Sequence, residues 1–217
     1  MLAAFYTRTG PAREVLTVGE VETPAAGPGE VRVRLAASGV NPSDVKTRGG
    51  LRSRDLPFAR IVPHSDGAGV IDQVGDGVPS ARVGERVWVW NAAWGRPSGT
   101  AAQYVVLPAP QAVPLPPGTT FEAGACLGIP ALTAYHAVHC NGGVAGKTVL
   151  VAGGAGAVGH YAVQFARLGG ARRVVATVSS DEKAALARAA GADVTINYRA
   201  EDVALRYGGR LLAVVVP

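Results

Sequence analysis

An apolar segment, Thr148 to Ala152, runs directly into a glycine-rich stretch with the spacing Gly153-x-x-Gly156-x-x-Gly159, and a helical pattern follows. A glycine at a strand end permits a tight turn, a second lets the main chain approach a pyrophosphate, and a third lets the helix pack close to the sheet. The free N–H groups and the positive end of the helix dipole then face the phosphates. The segment therefore predicts a βα unit that binds a nucleotide, with a purely structural glycine turn as the alternative.

The region around this segment alternates strands and helices. A helical segment rich in Ala and Leu, Phe121 to Cys140, precedes it and is expected to bend near Pro130. Strands are predicted at Val174 to Val178 and at Val194 to Asn197, with a helix from Asp181 to about Ala190 between them. This alternation is typical of half of a doubly wound parallel sheet.

The helix that begins at Asp181 has recognisable start and stop signals. Ser179-x-x-Glu182 predicts a capping box, and Gly191 is a suitable stop.

The chain from Met1 to about Gly118 is typical of β structure. Alternation of apolar and polar residues predicts strands at Val31 to Leu35, Val83 to Trp90 and Ala102 to Leu107. Clusters of Pro, Gly and Asn separate them, which favours a small barrel or sandwich of short strands.

The residues at the end of the next predicted strand, Val174 to Val178, indicate which cofactor is preferred. Sites that prefer NAD usually place Asp or Glu there, to bond the ribose 2′-hydroxyl. Here Ser179 and Ser180 end the strand and Lys183 follows one helical turn later, which suits a 2′-phosphate and favours NADPH. The alternative makes Ser179 a helix cap and Lys183 a solvated side chain, and the nearby Asp181 and Glu182 weaken the phosphate interpretation.

Composition excludes several classes of protein. Of the 217 residues 48% are hydrophobic and 17% charged, which suits a soluble α/β protein. No apolar run approaches the roughly 20 residues that span a bilayer, and the first residues do not resemble a signal peptide, so we expect a cytoplasmic protein with no membrane partner. The net charge is +5, but the arginines are scattered and form no basic tail, which disfavours nucleic acid as a partner.

Metal binding is not indicated. Cys126 and Cys140 cannot form a four-thiolate zinc site, and we expect no disulfide between them in a reducing compartment. His64 has no cysteine partner and is interpreted as structural or cleft-lining. His136 and His139 precede Cys140 on the predicted helix, but without further ligands they do not define a site.

Ordered motifs spread over about nine tenths of the chain identify a family. They are Gly39–Asp44, Gly67–Ile71 with Val74–Val78, Val83–Val87, Gly128–Tyr135, the glycine segment and Ile196–Arg199. The chain resembles the zeta-crystallin-type quinone oxidoreductases, a zinc-independent branch of the medium-chain dehydrogenase/reductase superfamily. The resemblance implies an α/β protein with a GroES-like β-rich catalytic domain over residues 1–122. It also implies a shortened Rossmann NADP-binding domain, with a doubly wound parallel sheet, over 123–217, and NADPH in the cleft between the domains.

The resemblance also implies roles for individual residues. Those expected to hold the pyrophosphate are Gly153, Gly156, Ala157, Val158 and Gly159. Those expected around the 2′-phosphate are Ser179, Lys183 and Tyr198. Asn41 and Thr133 would approach the nicotinamide and its ribose, and Asp44 would line the same pocket, although Asn41-Pro42 is also typical of an ordinary turn. Zinc-dependent alcohol dehydrogenases of the superfamily carry a cysteine where Val40-Asn41-Pro42 stands, together with a cysteine-rich lobe. This chain has neither, so no metal is expected.

The activity that the resemblance implies is NADPH-dependent reduction of quinones or related enones by hydride transfer without a metal. Such substrates are already electrophilic, so the protein mainly supplies proximity and orientation, with a proton arriving from water or a polar side chain. One alternative is an enoyl-thioester or other alkene reductase of the same superfamily. An alternative of another class is a non-catalytic nucleotide- or RNA-binding protein. The sequence leaves the natural acceptor and the oligomeric state open.

The family pattern fails near the end of the chain, where Leu205-Arg206-Tyr207 runs almost directly into Gly208. The segment Arg210 to Val216 corresponds either to the fifth Rossmann strand of the family or to a fourth strand beside Thr148 to Ala152. We favour the second. A fifth strand separated from Thr148 to Ala152 by an empty strand position would have no neighbour there, which would leave its backbone groups unpaired. Either arrangement leaves an open sheet edge and no returning strands for the catalytic domain. This predicts reduced stability or the need for a partner, of which a homodimer is one form, and weak turnover.

Overall fold

The computed structural model describes residues 1–51, 53–207 and 213–215. The chain divides into two compact units, Met1–Ile129 and Pro130–Pro217, and each has a hydrophobic core of its own. The sequence-based boundary after residue 122 lies within a helix, Phe121–Ala125. Among the residues described, no helix is both long enough and apolar enough to cross a membrane.

The first unit is built on seven described strands, all paired antiparallel. They are β1 Leu2–Phe5, β2 Thr17–Glu20, β3 Glu30–Gly39, β4 Asp66–Val74, β5 Arg86–Val89, β6 Tyr104–Pro108 and β7 Ala112–Pro114. β1 and β2 form a ribbon, and the other strands form a sheet in the order β6-β3-β4-β5-β7. Three short helices accompany them: α1 Ala12–Val15, α2 Pro42–Arg48 and α3 Phe121–Ala125. The β-rich character predicted for this part of the chain is confirmed.

The period of two along β3 explains why this segment is a strand. Val31 and Val33 are fully buried in the core of the sheet, whereas Arg32 lies on the other face. The Arg32 guanidinium donates both Nε and Nη2 to the Asp72 carboxylate at 3.0 Å. Alternate burial of this kind fixes the register, because a slip by one residue would turn the apolar side chains to the wrong face.

The second unit contains a parallel sheet with helices. Its strands are β8 Thr148–Val151, β9 Arg173–Val178, β10 Val194–Asn197 and β11 Ala213–Val215. Its helices are α4 Leu132–His139, α5 Ala157–Leu168, α6 Asp181–Ala189 and α7 Val203–Tyr207. The strand order is β10-β9-β8-β11, so the predicted strand–helix alternation and the parallel sheet are confirmed.

The last strand pairs as the sequence led us to favour. Ala213 lies opposite Val149 and Val215 opposite Val151, in a parallel ladder. The prediction of a fourth strand beside β8 is therefore confirmed for 213–215. The remaining positions of that predicted strand, 210–212 and 216, lie outside the described residues.

Two local predictions need correction or refinement. The predicted strand Val83 to Trp90 begins only at Arg86. Gly84 has a φ of +90°. Its N–H donates to the Ile71 carbonyl, and the Glu85 carbonyl accepts from the Ile71 N–H. The chain therefore turns here before the strand begins. The expected bend near Pro130 is confirmed: a π-helical turn, Leu127–Ala131, contains Pro130 and separates α3 from α4.

Candidate active site

The glycine segment forms the turn between β8 and α5. Gly153 has a φ of +63°, a left-handed conformation that favours glycine. A Cβ on Gly159 would lie 2.2 Å from the Gly153 carbonyl oxygen, and a Cβ on Gly154 would lie 2.5 Å from the Cβ of Ala176 in β9. At Gly156, by contrast, a Cβ would meet only the Gly153 oxygen, at 3.2 Å. Gly153 thus permits the turn, Gly154 and Gly159 permit close packing, and Gly156 leaves open space at the helix start.

The neighbouring strand fixes this turn. The Gly153 N–H donates to the Thr177 hydroxyl and the Gly154 N–H to the Thr177 carbonyl, both at 3.0 Å. Gly156 is the N-cap of α5 and offers no side-chain acceptor, so the N–H groups of Ala157, Val158 and Gly159 face outward from the first turn. Such a helix start can bind a phosphate group.

The side chains predicted around a 2′-phosphate lie beside the end of β9. The Tyr198 N–H donates to the Val178 carbonyl at 3.1 Å, which places Tyr198 beside Ser179, and the residue is 53% exposed. Lys183 is exposed in the first turn of α6. Ser179, Lys183 and Tyr198 thus lie at the same end of the sheet, where β9 and β10 end and α6 begins.

The predicted capping box at Ser179 and Glu182 is wrong. The N-cap of α6 is Ser180, whose hydroxyl accepts from the Lys183 N–H at 3.3 Å. The strand extends through Val178 and the helix begins at Asp181, so the cap falls on the second of two adjacent serines. The alternative that made Ser179 the helix cap is therefore excluded.

Asn41 and Asp44 lie at the start of α2, so the interpretation of Asn41-Pro42 as an ordinary turn is wrong. Asn41 is the N-cap, Pro42 occupies the first helical position, and an Asp44 oxygen accepts from the Asn41 N–H at 2.7 Å. Proline and an acidic residue are both favourable in a first helical turn.

Asn41 is buried and its side chain is fixed by a carboxylate that the sequence did not single out. Its Nδ2 donates to Asp66 Oδ2 at 2.7 Å, and the same oxygen accepts from the Ile129 N–H at 2.8 Å. Asp66 is completely buried, and its Oδ1 has no hydrogen-bond partner among the described residues. Burial raises the pKa of Asp66 to about 6 against the lowering effect of these two bonds.

A pocket of about 450 Å³ opens in the first unit. Its apolar wall includes Tyr6, Phe58, Ile61 and Trp94, and its polar wall includes Ser43, Asp44, His64, Asn91 and Arg96. Within the described residues, Ser43 Oγ and Arg96 Nη1 are buried polar atoms without a hydrogen-bond partner. An apolar cavity with a few convergent polar groups is the usual form of a small-molecule site.

Two titratable side chains of this pocket influence each other. Burial raises the pKa of Asp44, while the Asn41 N–H and the positive charge of His64 lower it in part. Burial lowers the pKa of His64, while the Asp44 carboxylate raises it. The interpretation of His64 as a cleft-lining residue agrees with its place on the pocket wall.

The remaining candidate residues lie on or at the end of α4: Thr133, His136, His139 and Cys140. Thr133 is exposed on α4 in the second unit. In the same helix His139 contacts the Tyr135 ring at 4.4 Å between centroids, and Cys140 donates to the Ala137 carbonyl. Within residues 1–51, 53–207 and 213–215, no group of three or more His, Cys, Asp or Glu side chains could hold a metal ion.

Comparison with known proteins identifies both units. Residues 27–117 match the alcohol dehydrogenase GroES-like domain and residues 157–216 match the zinc-binding dehydrogenase family. The solved structure of an NAD-dependent alcohol dehydrogenase is 36% identical, with a TM-score of 0.86, and the match covers 96% of this chain and 68% of that one. The chain belongs to the medium-chain dehydrogenase/reductase superfamily.

Within this superfamily, quinone oxidoreductases are prominent among the relatives. The enzyme of Rattus norvegicus is 37% identical over 188 residues, covering 86% of this chain and 55% of the relative. The structure of Escherichia coli quinone oxidoreductase complexed with NADPH is 28% identical with a TM-score of 0.82, covering 95% of this chain and 61% of that one. The resemblance inferred from the sequence is confirmed. The chain spans a little over half the length of the rat relative that it matches.

Proposed function

We propose that this chain binds NADPH and reduces quinones or related enones by hydride transfer without a metal. The observation that carries the proposal is the glycine turn between β8 and α5. Beside it, β9 is followed by Ser179 and Ser180, with no carboxylate at the strand end, and Lys183 lies in the first turn of α6. The quinone oxidoreductases among its relatives, one of them solved with NADPH, support the same cofactor and substrate class.

The residues present fit a dinucleotide. Gly156 leaves space where a Cβ would otherwise stand against a pyrophosphate, and the first turn of α5 presents its N–H groups to it. The exposed Lys183 ammonium can pair with a 2′-phosphate. When bound, the cofactor supplies the hydride.

The pocket of the first unit is the proposed binding site for the electron acceptor. Its aromatic and aliphatic wall suits a flat, conjugated ring, and Ser43 and Arg96 offer donors to carbonyl oxygens. Asp66 holds the Asn41 amide through its Nδ2, so the Asn41 side chain has one fixed orientation. Because quinones and enones are already electrophilic, orientation in the pocket can supply what a metal supplies for simple carbonyls.

The alternatives differ in what they bind. An enoyl-thioester or alkene reductase would use the same cofactor but reduce a thioester-conjugated alkene in preference to a quinone. An RNA-binding role would give a steep salt dependence of binding to single-stranded RNA. NADPH oxidation followed at 340 nm with a panel of quinones, enones and enoyl thioesters tests the proposal. A chain that binds NADPH but reduces only an enoyl thioester would contradict the proposal. The cytoplasmic location of the protein stays a prediction.

Lys183→Ala is expected to weaken NADPH binding roughly ten- to a hundredfold, because it removes a charge-assisted contact to the 2′-phosphate worth ~1.5–3 kcal/mol. NADH, which lacks that phosphate, is the matched control and should bind the variant nearly as it binds the wild type. Fluorescence titration of both nucleotides measures the difference. Equal losses for NADPH and NADH would refute the assignment of Lys183.

The chain is expected to bind no stoichiometric zinc, because Val40-Asn41-Pro42 stands where zinc-dependent relatives carry a cysteine. Elemental analysis of protein purified without added metal or chelator measures this directly. About one tightly held zinc ion per chain would overturn the metal-free mechanism.

A further inference from the structure

His64 has a backbone conformation that residues with a Cβ rarely adopt. Its φ is +77°, in the left-handed region. Hydrogen bonds from the chain opposite hold this conformation: the His64 carbonyl accepts from the Thr100 N–H at 2.9 Å, and the Pro63 carbonyl accepts from the Ala101 N–H at 3.1 Å. Such strain is often kept where a side chain must point into a functional site, and His64 lines the pocket proposed for the electron acceptor.

A chain of hydrogen bonds leads from the imidazole into the sheet. His64 Nδ1 lies 2.9 Å from Ser38 Oγ, and Ser38 Oγ lies 2.8 Å from Thr100 Oγ1. Thr100 Oγ1 donates to the main-chain carbonyl of Asp66 at 2.6 Å. Ser38 and Thr100 do not line the pocket, so the Nδ1 edge of the ring faces this chain of hydroxyls.

The Asp66 main-chain carbonyl, the last acceptor, sets the direction of every hydrogen bond in this series. A carbonyl oxygen can only accept, so the Thr100 hydroxyl donates its one proton to the main-chain carbonyl of Asp66. Thr100 Oγ1 must therefore accept the hydrogen bond from the Ser38 hydroxyl. Ser38 then has no proton left for the imidazole and must accept from His64 Nδ1–H. Nδ1 is therefore protonated in both charge states of His64, and Nε2 is the nitrogen that gains and loses a proton.

We propose that His64 is a catalytic proton donor, which passes the Nε2 proton to the oxygen of a quinone or enone bound in this pocket. The inference rests on the proposed function, in which a reduced nicotinamide dinucleotide is the reductant. The hydride brings two electrons and leaves one substrate oxygen anionic. The Nε2–H bond breaks, its electron pair stays on Nε2, and a new O–H bond completes a hydroquinone or an enol. Solvent then returns a proton to Nε2.

The charges around His64 suit this role. Asp44 on α2 faces the same pocket and favours the imidazolium, in which Nε2 carries a proton. Burial acts in the opposite direction and lowers the pKa of His64, which makes the proton easier to release. Tyr6 and Arg96 are the other titratable side chains on the pocket wall. Burial raises the pKa of Tyr6, so its hydroxyl keeps its proton more firmly than an exposed tyrosine.

His64→Gly tests the proposal, because glycine accepts the backbone conformation at this position and leaves room for added imidazole. With NADPH and 1,4-benzoquinone, kcat is expected to fall about a hundredfold, as for loss of a general acid, while the Kd for NADPH is unchanged. Added imidazole should restore part of kcat in the variant and leave the wild type unaffected. A kcat for the variant within roughly threefold of the wild-type value would overturn the proposal.

NMR of the full chain with ¹⁵N-labelled histidine gives a readout that needs no turnover. Neutral His64 is expected to carry its proton on Nδ1, and Ser38→Ala, which removes the acceptor, should shift the proton toward Nε2. A wild-type His64 with its neutral proton on Nε2 would overturn the inference whether or not the chain is active. Failure of the wild-type chain to oxidise NADPH with any quinone would instead refute the proposed function, and the NMR result would still decide where the His64 proton lies.

Discussion

Gly159→Ala is expected to lower the free energy of unfolding of the second unit by about 3 kcal/mol, the upper range for overpacking a well-packed site. Helix propensity alone predicts a gain of roughly 0.5–1 kcal/mol for this change. Steric overlap decides the sign, because the new Cβ would lie 2.2 Å from the Gly153 carbonyl oxygen and 3.0 Å from the Gly154 Cα. Both are backbone atoms of the turn, and α5 can relieve the overlap only by moving away from β8.

Gly156→Ala is the matched control for this prediction. A Cβ at that position meets one atom at 3.2 Å, and the Gly156 φ of −79° suits any residue. We expect a loss of stability below about 1 kcal/mol, since alanine is a poorer N-cap than glycine, together with weaker NADPH binding because the methyl group projects into the space for the phosphates. Urea denaturation and NADPH titration of both variants separate packing from ligand approach. Equal destabilisation by the two substitutions would contradict these separate roles.

The parallel sheet and the glycine turn could be predicted because their signals are local. The apolar strand, the glycines and the amphipathic helix lie within about twenty residues of one another, and each follows from backbone chemistry alone. Thr177 was missed even so. Its hydroxyl and carbonyl hold Gly153 and Gly154, but in the sequence it is simply one β-branched residue within a strand.

The start of α2 carries local sequence signals for a helix. Asn41, Pro42 and Asp44 are an N-cap, a first-turn proline and an acid at the third helical position, which together predict a helix. At Ser179 and Ser180 the local signal is ambiguous. Two adjacent hydroxyls offer two registers for the cap, and only the point where β9 ends decides between them.

The role of Asp66 could not be found from the sequence, because its partners are distant. Asn41 is 25 residues away and Ile129 is 63 residues away. The sequence leaves His64 as either a structural or a cleft-lining residue. Its hydrogen bonds through Ser38 and Thr100 depend on the pairing of β3 with β4 and on a loop that no local pattern predicts.

Asp66→Asn is expected to change the pH dependence of stability of the first unit. The pKa of Asp66 is about 6 in the folded protein against 3.8 for an ordinary aspartate. The folded state therefore binds more protons than the unfolded chain between about pH 4 and 6, and the free energy of unfolding falls as the pH rises through this window. Over the whole window the loss amounts to about 3 kcal/mol, at 1.36 kcal/mol for each pKa unit. Asparagine has nearly the same shape and no charge, so the variant lacks this loss.

Denaturation in urea at pH 4.5 and at pH 7.5 measures the effect. Relative to the wild type, Asp66→Asn should gain about 2 kcal/mol of stability on going from the lower to the higher pH. Its side-chain oxygen can still accept from Asn41 Nδ2 and from the Ile129 N–H, as Asp66 Oδ2 does. Its new NH₂ group stands where Asp66 Oδ1 is buried without a partner among the described residues, so the variant is less stable than the wild type at pH 4.5, and only the difference between the two pH values is diagnostic.

Asp72→Asn, at the other end of β4, is the control for removal of one negative charge. It loses the bidentate ion pair with Arg32, so it should be less stable than the wild type at pH 7.5 and show no relative gain there. If the difference in stability between Asp66→Asn and the wild type is the same at pH 4.5 and at pH 7.5, the buried carboxyl does not take up its proton near pH 6. Asp66 would then hold Asn41 as a charged group throughout the neutral range, and the stability of the first unit would carry no electrostatic cost from it.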